Sequence, residues 1–210
     1  MEVIGLIFWM SRKISSVFVV HGIIHEEDRD VYVYSFEVLL STLMSFVVLI
    51  VLSIISRTIL ETALYLIGFL PLRQIAGGYH AKNHFRCFLI MLFSYLTLLT
   101  LLHYLPTSAI TPVTCAGGLL SVFSVYLFAP SEDTNKPLSD KEVLRFRRKS
   151  RLSIIVYSIV IGIFTVFVSD KIFALSLALG VFTAAASLLA NFIKYKIRKV
   201  ESKPREEGNR

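Results

Sequence analysis

The chain has 210 residues, of which 55% are hydrophobic and 18% are charged, and its formal net charge is +7. Several apolar runs approach the roughly 20 residues that a helix needs to cross a hydrocarbon core. The positive charge is divided among the segments between these runs, which argues against nucleic-acid binding. We therefore predict an all-α, polytopic integral membrane protein that forms a single domain of residues 1–210.

Residues 1–35 are predicted to form an N-terminal cytoplasmic or interfacial segment. Apolar residues precede Arg12 and Lys13, the reverse of the order in a cleavable signal peptide. The pattern predicts a helix that lies either along the membrane surface or against the spans. His21 and His25 are weak metal-ligand candidates, because nothing fixes their geometry, and a solvated turn is favoured.

Six helices are predicted to cross the membrane within residues 36–193, followed by a basic tail at 194–210. The predicted spans are Phe36–Ser56, Thr58–Leu72, Cys87–Leu105, Val113–Ala129, Leu152–Val168 and Ile172–Ile193. The second is short and is predicted to stop at Pro71, so a re-entrant segment is the alternative. In the fourth, Gly117 and Gly118 predict close contact with another helix.

The segment Arg73–Cys87, RQIAGGYHAKNHFRC, combines paired glycines, two histidines, a cysteine and three basic residues. A nucleophilic cysteine needs a base and surroundings that favour the thiolate. Positive charge and a helix N-terminus lower the pKa of a thiol, whereas apolar surroundings raise it. We predict that residues 73–87 form a catalytic loop around Cys87. Cys115 lacks such neighbours in the sequence and is predicted to be a packing residue.

Two histidines are candidates for the base. In an unbroken helix His80 would stand about 10.5 Å from Cys87 along the axis, beyond hydrogen-bond reach. It can act only if the chain folds back, and Gly77 and Gly78 just upstream can take backbone conformations that other residues avoid. His84 is a helical neighbour of Cys87 without any fold-back. These arguments leave the two histidines nearly equal.

The order of Arg73, the sequence Gly-Gly-Tyr-His-Ala at 77–81, and a cysteine seven residues after the histidine resembles the accessory gene regulator B family (AgrB). Proteins of this family are membrane-embedded cysteine endopeptidases that process the precursor of a cyclic autoinducing peptide in quorum sensing. Chain length, hydrophobicity and the apolar runs also match. The resemblance implies that His80 is the base and Cys87 the nucleophile, whereas His84 matches no catalytic position.

The resemblance further implies a reaction without a cofactor. The implied partners are an AgrD-like precursor peptide and membrane lipid, with a homodimer as a further possibility. The oxyanion of the reaction would be stabilised by main-chain N–H groups around Gly77 and Gly78 or by the Arg73 side chain.

The basic residues predict the orientation of the chain. With six crossings and a cytoplasmic start, Lys and Arg number three before the first span, three in the motif loop, seven in Pro130–Arg151 and seven in the tail. The other side holds only Arg57 and Lys171. The positive-inside rule therefore places the catalytic loop on the cytoplasmic face of the cell membrane.

The basic run Arg145–Arg151, with Arg147 and Arg148 at its centre, is predicted to lie on the same side as Cys87. Family precursors carry an acidic tail, which arginines could attract. The alternative is that this run only sets the topology and contacts anionic lipid.

Two other functional classes compete with a cysteine peptidase. His80, His84 and Cys87 could form the metal trio of a metal-dependent membrane protease, although the glutamate of an H-E-x-x-H motif is absent. A polytopic transporter is the second class, although the spans contain few of the ionisable residues that mark ion pathways. A third interpretation is a polar loop whose cysteine merely packs.

Overall fold

The computed structural model describes residues 2–76, 84–131 and 139–201. Within these ranges the chain forms seven α-helices and a short 3-10 helix at Glu26–Asp28, and no strand, which confirms the all-α prediction. The helices are α1 (Glu2–Val20), α2 (Arg29–Ser56), α3 (Ile59–Ala76), α4 (His84–Tyr104), α5 (Thr107–Phe128), α6 (Asp140–Phe167) and α7 (Ile172–Glu201).

Five helices are long and apolar enough to cross a membrane, namely α2, α3, α5, α6 and α7. The sixth predicted crossing corresponds to α4, which has 21 residues and an apolar part at Phe88–Tyr104. Helix lengths and composition therefore agree with a multi-pass membrane protein.

The helices extend beyond the predicted spans. Helix α3 continues through Pro71 to Ala76, so the predicted stop at Pro71 is wrong. Helix α5 begins at Thr107, and α6 begins at Asp140, within the predicted polar connection. An apolar run marks only the part of a helix that can lie in hydrocarbon, whereas a helix continues as long as its backbone bonds are satisfied.

The chain forms two compact units. Unit 1 consists of Met1–Arg57 and Ala81–Leu99, and unit 2 consists of Thr58–His80 and Thr100–Arg210. The single membrane domain of residues 1–210, with its subdivision at 1–35, 36–193 and 194–210, stays a prediction.

In unit 1, α1 packs against α2. The rings of Phe18 and Phe36 stack with their centroids 5.4 Å apart, and Arg29 Nη2 donates a hydrogen bond to Ser16 Oγ at 2.9 Å. On the outer side of α1, Trp9 is 57% exposed. Helix α1 therefore packs against the candidate span α2, which is one of the two placements predicted for the N-terminal segment. It also presents the aromatic side chain of Trp9 on its outer side.

In unit 2, α7 is the most buried of the candidate spans. Of its apolar window 56% is buried, compared with 22% for α5. Its buried residues include several small ones: Ala174, Ala178, Ala184 and Ala185. Small residues allow helix backbones to approach each other in a membrane, so α7 can serve as the helix against which the others pack.

Helices α3 and α7 approach each other closely at two glycines. A Cβ added to Gly68 would lie 2.7 Å from the carbonyl oxygen of Leu177, and one added to Gly180 would overlap the backbone carbonyl of Tyr65. Both obstacles are backbone atoms, which cannot rotate away. Only glycine therefore fits at these positions without a shift of one helix.

The glycines predicted to make a close helix contact are different ones. For Gly117 and Gly118, nothing in the described chain lies within 4 Å of an added Cβ. That prediction is wrong, because a glycine in an apolar helix does not reveal which face of the helix meets a neighbour.

We expect Gly180→Ala to destabilise unit 2, because the new methyl group meets the Tyr65 carbonyl. Overpacking of this kind costs about 1–3 kcal/mol. The measurement is the midpoint of thermal unfolding of the detergent-solubilised protein. Gly118→Ala is the matched control, and it should leave the midpoint unchanged or raise it, since alanine has the higher helix propensity. Equal midpoints for the two variants would contradict the contact between α3 and α7.

Candidate active site

The predicted catalytic loop follows α3 and precedes α4. Helix α3 ends at Ala76 and α4 begins at His84. The glycines at 77–78 and His80 lie outside the described residues, as does the predicted fold-back of His80 toward Cys87. Cys87 and His84 belong to α4, but their side chains are outside the described part of the structure. The choice between the two histidines therefore stays open on structural grounds.

Cys87 belongs to α4, whose described part runs from His84 to Tyr104. The prediction that Cys87 stands where a polar loop gives way to a helix, whose N-terminus would favour a thiolate, depends on residues 77–83 and stays a prediction.

Arg73 lies in the last turn of α3. Its guanidinium carbon is 5.7 Å from the ring centroid of Phe69, one helical turn earlier, in a cation–π contact. The side chain is half-buried. The contact with Phe69 fixes the charge of Arg73 against α3 at the entrance to the loop.

The end of α3 lies beside the end of α5 and the later part of α7. The N–H of Ser131, which follows α5, donates to the Ala76 carbonyl at 3.0 Å, and Ser131 Oγ accepts a hydrogen bond from Asn191 Nδ2 in α7. The ring centroids of Phe128 and Phe192 are 4.6 Å apart. Helices α3, α5 and α7 therefore run parallel, and we name the end where these five residues lie the motif end of unit 2.

Helix α6 starts at the motif end and runs in the opposite direction. The guanidinium carbon of Arg151 lies 4.2 Å from the ring centroid of Tyr126, close to the end of α5. At the start of α6, the N–H and the hydroxyl of Ser139 both donate to the Glu142 carboxylate, at 3.0 and 2.8 Å. This is the carboxylate half of a capping box, which stabilises a helix start.

The basic run Arg145–Arg151 is thus helical, although the sequence placed it in a polar connection. The side chains of Arg147 and Arg148 are exposed. They are available for contacts with an anionic partner or with lipid headgroups.

The other candidate residues do not form a site among themselves. Cys115 has a free thiol and is exposed on α5, so the prediction that it packs against other helices is wrong. His21, which directly follows α1, has its Nδ1 2.8 Å from the carbonyl oxygen of Val17 in that helix. Among the described residues, no three His, Cys, Asp or Glu side chains are grouped so that they could hold a metal ion. The side chains of His80, His84 and Cys87 lie outside the described residues, so this finding does not include them.

Three residues at or near the motif end were missed by the sequence analysis, namely Ser131, Tyr157 and Asn191. One signal for Tyr157 was present, because Pro71 deprives the carbonyl of Ile67 of its helical donor. The Tyr157 hydroxyl of α6 donates to that carbonyl at 2.7 Å. The sequence gives no comparable signal for the pair of Ser131 and Asn191.

A family model described as "Accessory gene regulator B" matches residues 11–189 of the chain. The matched range contains the predicted catalytic loop at 73–87 and the basic run at 145–151. A search of the curated proteins and a search of the solved structures gave no match.

Proposed function

The chain belongs to the accessory gene regulator B family, whose members take part in autoinducing-peptide processing, and we propose that it is a membrane cysteine endopeptidase. Its substrate is an AgrD-like precursor peptide, from which it removes the C-terminal tail. The single observation that carries this proposal is the family match, which covers Arg73, His80 and Cys87 together.

The proposed reaction is an acyl transfer in two steps. His80 takes the proton of the Cys87 thiol, and the sulfur attacks the carbonyl carbon of the scissile peptide bond. The C–N bond breaks, the tail leaves as an amine with a proton from His80, and the precursor remains attached to Cys87 as a thioester. A thiol or hydroxyl of the precursor then attacks the thioester. This closes a thiolactone or lactone ring and returns the thiol of Cys87.

The predicted position of Cys87 at the head of the helix that follows the motif supports the first step. The nucleophile is the thiolate, and the helix N-terminus favours it. The oxyanion that forms on the scissile carbonyl needs a donor. Arg73, which lies at the loop entrance, and the main-chain N–H groups around Gly77 and Gly78 are the candidates.

The arrangement within unit 2 supports a common side for the loop and the basic run. The loop leaves α3 at Ala76, and Arg151 packs on Tyr126 at the same end of the unit. We propose that this end faces the cytoplasm, in keeping with the distribution of Lys and Arg. A precursor peptide would then reach Cys87 along the inner leaflet, with its acidic tail toward Arg147 and Arg148.

We expect Cys87→Ala to abolish cleavage, because alanine offers no nucleophile. The protein and its precursor peptide are co-expressed, and the full-length and cleaved peptides are quantified by mass spectrometry. Cys115→Ala is the matched control and should cleave at the reference rate. Continued cleavage by Cys87→Ala would exclude the proposed nucleophile. Loss of cleavage with a chelator that added zinc restores would instead indicate the metal-dependent protease.

We expect His80→Ala to lower the cleavage rate by roughly 10²- to 10⁴-fold, the usual effect of losing a general base. His84→Ala should keep a measurable fraction of the activity, and His103→Ala, at the far end of α4, should keep all of it. Initial rates in membrane vesicles provide the comparison. If His84→Ala is inactive and His80→Ala is active, the helical neighbour of Cys87 is the base.

We expect the double change of Arg147→Glu and Arg148→Glu to slow processing of an acidic-tailed precursor roughly tenfold, because attraction becomes repulsion. A precursor with a neutral tail should be processed equally by both proteins. The single change Lys141→Glu, earlier in α6, is the control for added negative charge. If the double variant is correctly inserted and still processes the acidic-tailed precursor at the unaltered rate, the basic run acts only as a topology signal.

A further inference from the structure

The guanidinium of Arg151 is held in place by an aromatic ring. Its central carbon lies 4.2 Å from the ring centroid of Tyr126, which belongs to the neighbouring helix α5. The described residues provide neither a hydrogen-bond acceptor for its Nε, which is buried, nor an ion-pair partner for its charge. The ring attracts the cation but does not neutralise it. Arg151 is therefore a fixed cation whose charge the described part of the chain leaves unpaired.

Arg151 and Tyr126 both lie where the polar part of a helix meets its apolar part. Arg151 directly precedes the predicted span Leu152–Val168, and Tyr126 is three residues before the end of the predicted span Val113–Ala129. Tyrosine and arginine are suited to this depth, because each has an apolar body and a polar tip. A guanidinium at the edge of the hydrocarbon is stabilised by an anion at the same depth. The phosphates of membrane lipids are such anions.

Exposed apolar side chains lie one helical turn further into the predicted spans. Ile155 follows Arg151 by four residues and is 50% exposed, and Phe123 precedes Tyr126 by three residues and is 62% exposed. Residues three or four apart share one face of a helix. Because α5 and α6 run in opposite directions, both apolar residues lie on the hydrocarbon side of the cation. A lipid has the same order, with a phosphate above and acyl chains below, whereas a soluble anion would not use the apolar residues.

Further positive charge surrounds this position and favours a lipid of net negative charge. Arg147, Arg148 and Lys149 occupy the turn before Arg151, and all three are exposed. A positive potential of this kind attracts an anionic headgroup. The choline of a zwitterionic lipid would bring a second positive charge to the same place.

We propose that Arg151 and Tyr126 form a binding site for the headgroup of an anionic phospholipid. The planar guanidinium donates two parallel hydrogen bonds to oxygens of the phosphate, a geometry that its fork of donors fits. The ring of Tyr126 fixes the plane of the guanidinium, and the acyl chains lie against Phe123 and Ile155. The site belongs to unit 2 alone, and it does not depend on the proposed function.

The test measures the binding of single lipids to the full chain in detergent, by native mass spectrometry. The protein is stripped of lipid and titrated with phosphatidylglycerol or with phosphatidylcholine of the same acyl chains. We expect phosphatidylglycerol to bind more tightly, because its headgroup adds no positive charge. Arg151→Lys keeps the charge but loses the fork. It should weaken the binding of phosphatidylglycerol about tenfold, the effect of losing one charge-assisted hydrogen bond.

Matched variants separate the fixed cation from the charge around it. Arg145→Lys is the same change at an exposed position six residues earlier, and it should leave the affinity unchanged. Tyr126→Leu removes the ring and should weaken binding about threefold, whereas Tyr126→Phe keeps the ring and should bind as the reference protein does. Circular dichroism reports helix content. Because Tyr126 is 51% exposed, Tyr126→Leu remains a test if Arg151→Lys alters that content.

Two soluble competitors identify the source of the anion. Inorganic phosphate and a short acidic peptide should displace little phosphatidylglycerol, because neither gains from the apolar residues below the cation. Displacement by inorganic phosphate would indicate a site for a soluble anion, and displacement by the peptide would indicate a peptide-binding surface. Either result overturns the proposal. Equal affinities for the two lipids, or equal effects of Arg151→Lys and Arg145→Lys, would overturn it as well, since binding would then not depend on the fixed guanidinium.

Discussion

The backbone contact between α3 and α7 determines the arrangement of unit 2. Apolar side chains gain little from leaving lipid for another apolar surface, so membrane helices associate where their backbones can approach. Gly180 meets Tyr65 in this way. Asn191 follows Gly180 by eleven residues in α7, and Ala76 follows Tyr65 by eleven residues in α3. Each interval is a rise of about 16.5 Å along its helix. The contact thus brings both residues to the level at which Ser131 bonds them.

Pro71 weakens α3 between this contact and the last residue of the helix that the structure describes. Without the intrahelical bond to Ile67, the turns that carry Arg73 depend on partners outside the helix. Tyr157 and Ser131 supply those partners on either side of the weak point.

The sequence predicts the helices of this protein well, because a long apolar run that crosses a membrane must satisfy its backbone hydrogen bonds internally, and a helix does so. It does not predict their ends, as α6 shows by continuing back through the basic run to Asp140. It also misses contacts between distant residues. Gly118 and Gly180 look alike in the sequence, but only Gly180 faces a neighbouring backbone. Ser131 and Asn191 are 60 positions apart, and no periodicity connects them.

The site could be located from composition but not assembled. Cys87 stands out because basic residues, histidines and glycines surround it in the sequence. His80 and Cys87 are seven residues apart in the sequence. In an unbroken helix they would be separated along the axis, whereas after a fold-back they would be in contact. Residues 77–83 contain no long apolar run that would decide between these two paths. The choice of His80 in the proposed reaction rests on the resemblance of residues 73–87 to the family motif.

In the proposed reaction, negative charge develops at two places close to hydrocarbon, on the sulfur of Cys87 and on the oxyanion of the scissile carbonyl. Charge in such surroundings is costly unless positive groups face it. The positive-inside rule concentrates those groups on one side of the membrane, where α6 carries its basic run. A cysteine peptidase on that side therefore benefits from the same cations that orient the chain. On the opposite side, where the predicted topology leaves only Arg57 and Lys171, the same cysteine would lack this support.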